Sequence, residues 1–313
     1  MTLPVFETAI LGRAIWNLHS LNNEGTVGNV SEPRTVVLAD GSKSDGISGE
    51  MLKHIHAQNV WLVANDRSVF CEPCQTLQPQ KADKNPEVTG VKAAKAKLAS
   101  EGMNVAISGC ALCDLHGFLV QKPTIARAST VEFGWAVAVR NGYHRDIHLH
   151  ARHAVEGRTE AQEEAGEKAA QMLYHRPTRS GTYALVSVFQ PWRIGLNEVN
   201  YEYVASVDRA ARYRLAIDAY KATFARTDGA MTSTRLPHPE AFEGLVLVSS
   251  RNFPVPVVSP LQDDYRERLE QLSKATDGLE LRSFTSLTEL YVILNDLAKR
   301  PLFNLQIVKR EKK

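Results

Sequence analysis

The sequence has no apolar stretch long enough to cross a bilayer, few cysteines and almost no net charge. Its 313 residues include four cysteines and carry a formal net charge of +2. A membrane-spanning helix needs about 18 consecutive apolar residues, and no run approaches that length. The first residues, Met1 to Pro4, show neither the basic segment nor the small-residue cleavage site of a secretory signal. We therefore expect a cytoplasmic protein without a membrane partner.

Motifs of the common enzyme classes are also missing. We find no Walker loop, dinucleotide-binding fingerprint, nucleophile elbow or kinase motif set, and no internal repeat. With 43% hydrophobic and 23% charged residues, the composition is that of an ordinary globular chain of one or two domains. Because the net charge is small, nucleic-acid binding would require basic side chains concentrated on one surface.

The four cysteines form two pairs of equal spacing, Cys71-x-x-Cys74 and Cys110-x-x-Cys113. In an intracellular protein this pattern favours a metal over disulfides. Thiolates three positions apart can face one tetrahedral ion, and two such pairs complete a closed, structural zinc site. The alternatives are four unrelated reduced cysteines, or a site in which His116 replaces one thiolate. We expect a structural zinc ion bound by the four cysteines.

The N-terminal segment combines strands with the start of a helix. An apolar run from Val5 to Trp16 predicts a buried strand, and an Asn/Gly-rich loop follows at residues 20–29. Ser48 and Gly49 then predict a helix start. The free N–H groups and positive dipole of a helix start suit a phosphate, with Lys53 one turn further on. The alternative is an ordinary serine-capped helix.

Strand and helix patterns mix along the rest of the chain without strict βαβ alternation, which predicts an α+β fold. An Asn-Gly turn is expected at residues 141–142. Expected strands are 60–64, 118–120, 131–139, 181–189, 244–249, 279–284 and 302–308, and expected helices are 87–100, 206–226, 263–274 and 287–299.

Several short pieces of the sequence stand in an order and spacing that resembles one known family. This family is the DevR-type backbone subunit of type I CRISPR Cascade, CRISPR-associated protein family seven within the RAMP superfamily. The resemblance covers most of the chain and is sharpest in its first fifty residues. The pieces are Leu21-Asn22, Val27-Gly28-Asn29, Pro33-Arg34, Ile47-Ser48-Gly49-Glu50, Arg152-His153 and Ser180-Gly181-Thr182-Tyr183.

The resemblance implies a domain organisation. The core, or palm, would be a ferredoxin-like, RRM-related α+β domain with large insertions, formed by residues 1–65, 119–140 and 182–313. Residues 141–181 would form a projecting thumb hairpin that folds over the guide RNA. The insertion at residues 66–118 is instead predicted by the sequence itself: the composition changes there, and both cysteine pairs lie within it, so we expect a zinc-binding insertion that is not a general feature of the family.

The resemblance also implies a function. The chain would be a non-catalytic prokaryotic subunit that binds CRISPR guide RNA by its backbone and stacks along it with copies of itself. Other Cascade subunits would be its partners, and the guide bases would pair with target DNA. The sequence lacks the aromatic RNP motif of RRM domains, so we expect a backbone grip rather than base stacking on the sheet.

The candidate RNA contacts are cationic side chains for phosphates and glycine or polar residues where the backbone can approach RNA closely. Phe133, Trp135, Tyr143 and Trp192 are aromatic candidates, although such residues more often belong to a core. The candidate contacts are Arg13, Asn17, Asn22, Gly25, Gly28, Asn29, Ser48, Gly49, Lys53, His54, Arg140, His150, Arg152, His153, Arg179 and Arg193.

Two other functions remain open at this stage. The histidine-rich stretch His144–His153 includes His148 and His150, which share a face if the chain is extended. With His153 and Asp146 they could bind catalytic zinc or manganese, which would make the chain a metal-dependent hydrolase or nuclease. The third possibility is a zinc-stabilised interaction protein that does not bind RNA.

Overall fold

A computed structural model describes residues 2–28, 30–95, 97–152, 172–227 and 236–306. The strands in these ranges are β1 Glu7–His19, β2 Asn23–Val27, β3 Val30–Pro33, β4 Thr35–Val37, β5 Lys43–Ile47, β6 Phe118–Val120, β7 Ile125–Arg127, β8 Val131–Phe133, β9 Ala136–Arg152, β10 Met172–Phe189, β11 Leu196–Asn197, β12 Glu202–Tyr203, β13 His238–Ser249 and β14 Leu279–Phe284. The α-helices are α1 Gly49–Val63, α2 Glu72–Gln75, α3 Pro86–Thr89, α4 Leu98–Gly109, α5 Ala111–His116, α6 Arg209–Ala225, α7 Tyr265–Ala275 and α8 Leu287–Leu297.

One large sheet organises the described part of the chain. Its main path runs β14-β13-β1-β10-β9-β5-β4, and every neighbouring pair on that path is antiparallel. Strand β8 pairs with β10, and the β2–β3 hairpin joins β10 through a parallel bridge between Val30 and His175. The expected α+β class is therefore confirmed.

The core lies on both faces of the sheet because side chains of a strand alternate between faces. From β1, Ile10 and Ala14 pack into the larger cluster, together with α1, α6 and α8. Leu11, from the other face of β1, packs into a smaller cluster with Leu269 of α7. Part of the second face is thus covered by α7 and the chain leading to it.

The long strands β9 and β10 continue as a two-stranded hairpin. Their pairing extends from Tyr143 opposite Gly181 to Arg152 opposite Met172. These arms lie where the thumb was expected, and residues 153–171 between them lie outside the described residues.

The expected zinc insertion is mainly helical. It contains α2 to α5 and packs against α1, where the Trp61 indole Nε1 donates to the Gln75 carbonyl at 2.8 Å. The helix predicted at 87–100 is wrong, because residues 90–95 lie outside the helices α3 and α4 that flank them. None of the described helices is both long and apolar enough to cross a bilayer.

Other local predictions need correction. Residues 60–63 end α1 rather than forming a strand, and the loop predicted at residues 20–29 contains β2. Asn141 and Gly142 lie within β9, so the predicted turn is wrong. Of the strand predicted at 302–308, the described residues contribute only a bridge from Leu302 to Val5.

Candidate nucleic-acid interface and metal centre

Side chains of the protein cap the N-terminus of α1. The Ser48 Oγ accepts from the Met51 N–H at 3.2 Å, and the Asn22 Oδ1 accepts from the Ser48 N–H at 2.5 Å. A Cβ atom on Gly49 would lie 2.0 Å from the Phe133 carbonyl oxygen. Ser48 is 3% exposed, so a phosphate has little access to this turn. The geometry therefore favours the ordinary serine-capped helix.

The surroundings of this helix start are more open. Gly25 and Gly28 are exposed on the β2–β3 hairpin, and a Cβ on either would meet no atom within 4 Å. Gly28 has a φ of 61°, a conformation that favours glycine. On α1, Lys53 is half-buried and His54 is exposed. The candidate contact Asn29 lies outside the described residues.

A buried polar network joins the base of the β9–β10 hairpin to the palm. Arg179 is 1% exposed and its Nη1 donates to the Asp45 Oδ1 at 2.7 Å, while its Nη2 donates to the Leu21 carbonyl. The second Asp45 oxygen accepts from the Tyr183 hydroxyl at 2.7 Å, and that hydroxyl lies 2.8 Å from the His19 Nε2. Burial and the nearby Arg179 charge hold the pKa of His19 well below its ordinary range. Arg179 thus has an internal structural role, and its burial does not favour the expected RNA contact.

Arg193 also has an internal role. Its guanidinium donates to the Glu198 and Gln190 side chains, each at 2.7 Å, and to the carbonyls of Ala128 and Ser129. The residue is 8% exposed. Because its donors are satisfied inside the fold, the geometry does not favour Arg193 as an RNA contact either.

Three other candidates contact acidic side chains at the surface. Arg13 donates to the Asp263 carboxylate at 2.8 Å, and the Asn17 amide donates to Glu240 at 2.9 Å. Arg140 forms an ion pair with Asp40, and 66% of the Arg140 side chain is exposed. Surface ion pairs contribute little to stability, so such a cation can exchange its partner for a phosphate.

The β9 arm of the hairpin carries different side chains on its two faces. Ile147 and Leu149, on one face, are 46% and 59% exposed. On the other face the His148 Nε2 lies 2.8 Å from the Thr178 Oγ1 and 3.8 Å from the Asp146 Oδ2. His150 is half-buried.

The end of the same arm is only partly described. The backbone of Arg152 lies in β9, but its side chain and His153 lie outside the described residues.

A catalytic metal site in this hairpin is not favoured. The structure brings the four cysteines together as potential metal ligands. No other group of three or more potential ligands lies together among the described residues. His148, His150 and Asp146 do not form such a group there, so the hydrolase alternative loses its geometric basis.

The four cysteines come together as the sequence predicts. All are buried, and their sulfur atoms lie within 4.8 Å of one another. The Sγ of Cys113 is 4.0 Å from that of Cys71 and 3.8 Å from that of Cys74. With zinc–sulfur bonds of about 2.3 Å, a tetrahedral site has sulfur atoms about 3.8 Å apart. The donor set and its spacing therefore fit a structural metal ion.

Short helices place these thiols. Cys71 precedes α2, and Cys110 lies between α4 and α5, where its Sγ accepts from the Cys113 N–H at 3.4 Å. The four residues are free thiols rather than disulfides. Because each pair spans the start of a helix, both sulfurs of a pair face the same point.

His116 is directed away from this cluster. Its Nε2 lies 2.9 Å from the His56 Nδ1, and both rings are buried. Burial lowers the pKa of His56 to about 3 and holds that of His116 well below its ordinary value, so both rings are uncharged at neutral pH. Nearby, the Lys81 ammonium donates to the His116 and Gly117 carbonyls. The alternative that His116 replaces a thiolate is therefore not supported.

The sequence matches a known family over most of its length. The model of the family described as "CRISPR-associated negative auto-regulator DevR/Csa2" matches residues 10–270. The chain belongs to the DevR/Csa2 family. This confirms the resemblance that the N-terminal motifs indicated. Among curated proteins, none matches this sequence significantly.

The fold of this DevR/Csa2 member is similar to that of a solved structure. A chain described as "CRISPR RNA-guided surveillance complex, pre-nicking" is 14% identical and has a TM-score of 0.51, with 93% of this chain and 98% of that chain covered. A chain described as "CRISPR RNA-guided surveillance complex" is 12% identical and has a TM-score of 0.48, with the same coverage of 93% and 98%. At such identities the first similarity concerns the fold alone.

Sequence reasoning missed the network of His19, Asp45 and Tyr183 in this DevR/Csa2 chain. No local motif marks these residues, because Asp45 and Tyr183 are 138 positions apart and meet only in the folded sheet. It also missed the position of Arg34, which lies over the Trp135 ring. Only the tertiary structure brings these groups together.

Proposed function

We propose that this chain is a non-catalytic backbone subunit of a type I Cascade surveillance complex in the prokaryotic cytoplasm. It binds CRISPR guide RNA through phosphates, and several copies stack along the RNA. It contacts other Cascade subunits and leaves guide bases available for pairing with target DNA. Membership of the DevR/Csa2 family and the similarity to a chain of a CRISPR RNA-guided surveillance complex support this proposal.

The order of the central elements supports a ferredoxin-like palm. Along the chain, β1, α1, β9, β10, α6 and β13 follow a β-α-β-β-α-β order, which is the ferredoxin-like motif. In the sheet their strands stand in the order β13-β1-β10-β9, all antiparallel. In this interpretation the palm comprises residues 1–65, 119–140 and 182–313, with insertions at 66–118 and 141–181.

The single observation that carries the RNA-binding proposal is the β9–β10 hairpin. It extends two central strands and presents basic side chains, among them His144, Arg145 and His148, beside exposed Ile147 and Leu149. Cationic groups neutralise phosphates, and exposed apolar groups can wedge or support bases. We infer that this hairpin is the thumb, which contacts both the guide RNA and the next copy of the subunit.

The proposed RNA surface joins this thumb to the neighbouring β2–β3 hairpin. Arg145 lies 3.3 Å from Glu32 of β3, so the two hairpins are adjacent. Candidates that keep an exposed or half-buried position are Arg13, Asn17, Asn22, Gly25, Gly28, Lys53, His54, Arg140 and His150.

We further propose that the four cysteines bind zinc. The zinc ion would hold α2 and the α4–α5 junction together without an open coordination position, so its role would be structural. The ion would then stabilise the insertion that packs on α1, and it would not take part in chemistry.

The test is to co-express the chain with a CRISPR array, purify it and sequence any bound RNA. We expect guide-length RNA in a large assembly, protected whatever the spacer sequence. Protein that purifies without nucleic acid would contradict the proposal. Metal-dependent cleavage that His148→Ala abolishes would instead support the hydrolase.

A further inference from the structure

Trp135 is unusual among the tryptophans of this chain. All four lie in the described residues, and only Trp135 is exposed, at 43%. Exposure of a large indole is costly unless another group covers it in the functional state, and tryptophan offers a flat surface suited to stacking.

A local irregularity of the sheet places this side chain. Ser187 of β10 stands opposite Phe133, and Ala184 stands opposite Val137. Between these two pairs β10 advances by three residues, whereas the chain from β8 to β9, which includes Trp135, advances by four. The extra residue lies in the connection between β8 and β9. Like a β-bulge, an irregularity of this kind redirects a side chain, and bulges recur next to functional sites.

Glycine and arginine define the surroundings of the ring. A Cβ on Gly46 of β5 would lie 3.1 Å from the Trp135 Cε3, so the indole packs closely against the Gly46 backbone. The Arg34 guanidinium lies 5.9 Å from the indole centroid, within cation–π range. The neighbouring Gly134 is exposed, so no side chain separates the ring from solvent at that position.

The Arg34 guanidinium has hydrogen-bond donors that the described residues do not all use. Within the described part of the chain its Nε is buried without a hydrogen-bond partner, and its contact with Glu24 is long, at 3.7 Å. The Arg34 side chain is 27% exposed. A guanidinium in this state, beside an exposed indole, can take a phosphate while the ring takes the attached base.

We propose that Trp135 stacks on one base of single-stranded RNA while Arg34 contacts the adjacent phosphate. The proposal rests on the proposed RNA-binding function and adds a base contact to the expected backbone grip. Because every nucleobase has a flat aromatic face, such stacking carries little sequence preference. Each copy of the subunit would then hold one nucleotide in a fixed position on the sheet.

The test compares two RNA probes on the full chain. One is a single-stranded oligoadenylate, and the other has the same length and phosphates but abasic riboses. For the wild-type chain we expect oligoadenylate to bind more tightly. Trp135→Ala should weaken oligoadenylate binding by about 5- to 100-fold and remove the difference between the probes. Trp135→Phe should retain most of the difference.

Trp61→Ala is the matched control. Trp61 also has an arginine over its ring, with the Arg67 guanidinium 3.8 Å from the centroid, but it lies on α1 beside α2. Its replacement should leave oligoadenylate binding unchanged. Circular dichroism of every variant checks the fold.

The possible failures are distinguishable. If the wild-type chain shows no salt-dependent affinity for either probe, the proposed function itself is wrong. If the wild-type chain binds RNA but Trp135→Ala binds oligoadenylate equally well, only the stacking proposal is overturned. An equal loss on both probes also overturns it, because a stacking contact cannot act on an abasic strand.

Discussion

Arg179 and Asp45, 134 residues apart in sequence, form a buried ion pair at the point where the β9–β10 hairpin leaves the sheet. The side chains are 0% and 2% exposed. The pair joins β10 to β5, and the Leu21 carbonyl joins the same guanidinium to the chain before β2. The position of the hairpin relative to the palm therefore depends on charge pairing inside the fold.

Replacement of Arg179 by methionine should destabilise the protein strongly. The change leaves the Asp45 carboxylate buried without its cation, which costs roughly 3–5 kcal/mol. We expect a corresponding fall in the free energy of unfolding, measured with urea, and faster proteolysis of the hairpin.

Two variants control this experiment. Arg268→Ala removes an exposed ion pair with Asp264 and should cost no more than about 1 kcal/mol. The double variant Arg179→Met with Asp45→Leu should recover part of the lost stability, because no unpaired charge then remains. A wild-type unfolding curve for Arg179→Met would contradict a structural role for this residue.

The contrast between Gly49 and Gly25 gives a second prediction. Gly49→Ala would place a methyl group 2.0 Å from the Phe133 carbonyl oxygen, so the backbone must shift. Such overpacking costs at least about 1–3 kcal/mol. Gly25→Ala meets no atom within 4 Å and should leave the melting temperature unchanged or slightly raised. Equal melting temperatures for both variants would show that Gly49 is not closely packed.

Local sequence patterns predicted several helices and strands correctly. The helix predicted at 206–226 is α6, Arg209–Ala225, and the strand predicted at 279–284 is β14. The four clustered cysteines were also predictable as a group, because each cysteine pair is local in sequence. Short patterns were less informative. The apolar run at residues 60–63 is compatible with a strand or with the end of a helix, and here α1 continues through it.

Residues that depend on distant partners could not be predicted. Asn141-Gly142 is a strong turn signal, yet β9 passes through it because the register with β10 shifts beside Gly142. Arg179 has the residue type of a surface phosphate contact, but Asp45 comes to it from another strand. Whether a cation is buried depends on partners that are distant in sequence, so a local sequence pattern cannot predict it.

Removal of one cysteine from each pair tests the metal site. Cys71→Ser and Cys110→Ser should each lose bound zinc, measured by elemental analysis, because three thiolates bind far more weakly than four. The loss should also destabilise the α2–α5 region, detected by faster amide hydrogen exchange there.

His116→Gln is the control for this prediction, since the His116 Nε2 contacts His56 rather than a sulfur atom. It should keep full zinc occupancy. Full occupancy in either serine variant would show that the proposed ligand set is wrong.

The buried histidine His56 predicts acid sensitivity. Its pKa falls from an ordinary 6.5 to about 3 because burial disfavours the charged ring. Between these values the unfolded chain binds a proton that the folded chain does not, so stability decreases as the pH falls. Above about pH 6.5 both states are neutral and this contribution vanishes. The slope is at most about 1.4 kcal/mol per pH unit for this residue.

Denaturant unfolding of the wild-type chain and of His56→Gln at several pH values measures the effect. The variant should show a shallower loss of stability between about pH 6 and pH 4, although its stability at neutral pH is lower. Zinc content is followed at each pH, and only samples of equal occupancy are compared. Identical slopes in the two proteins would contradict a neutral buried His56.

Lys53→Ala tests whether RNA is held by its phosphates. Loss of one phosphate contact on single-stranded RNA should make the slope of log affinity against log salt shallower by about 0.7, and affinity should fall equally for all sequences. Lys274→Ala, on the exposed face of α7, is the matched control and should change neither quantity. A changed sequence preference in Lys53→Ala would mean that Lys53 contacts a base, because a phosphate contact carries no sequence information.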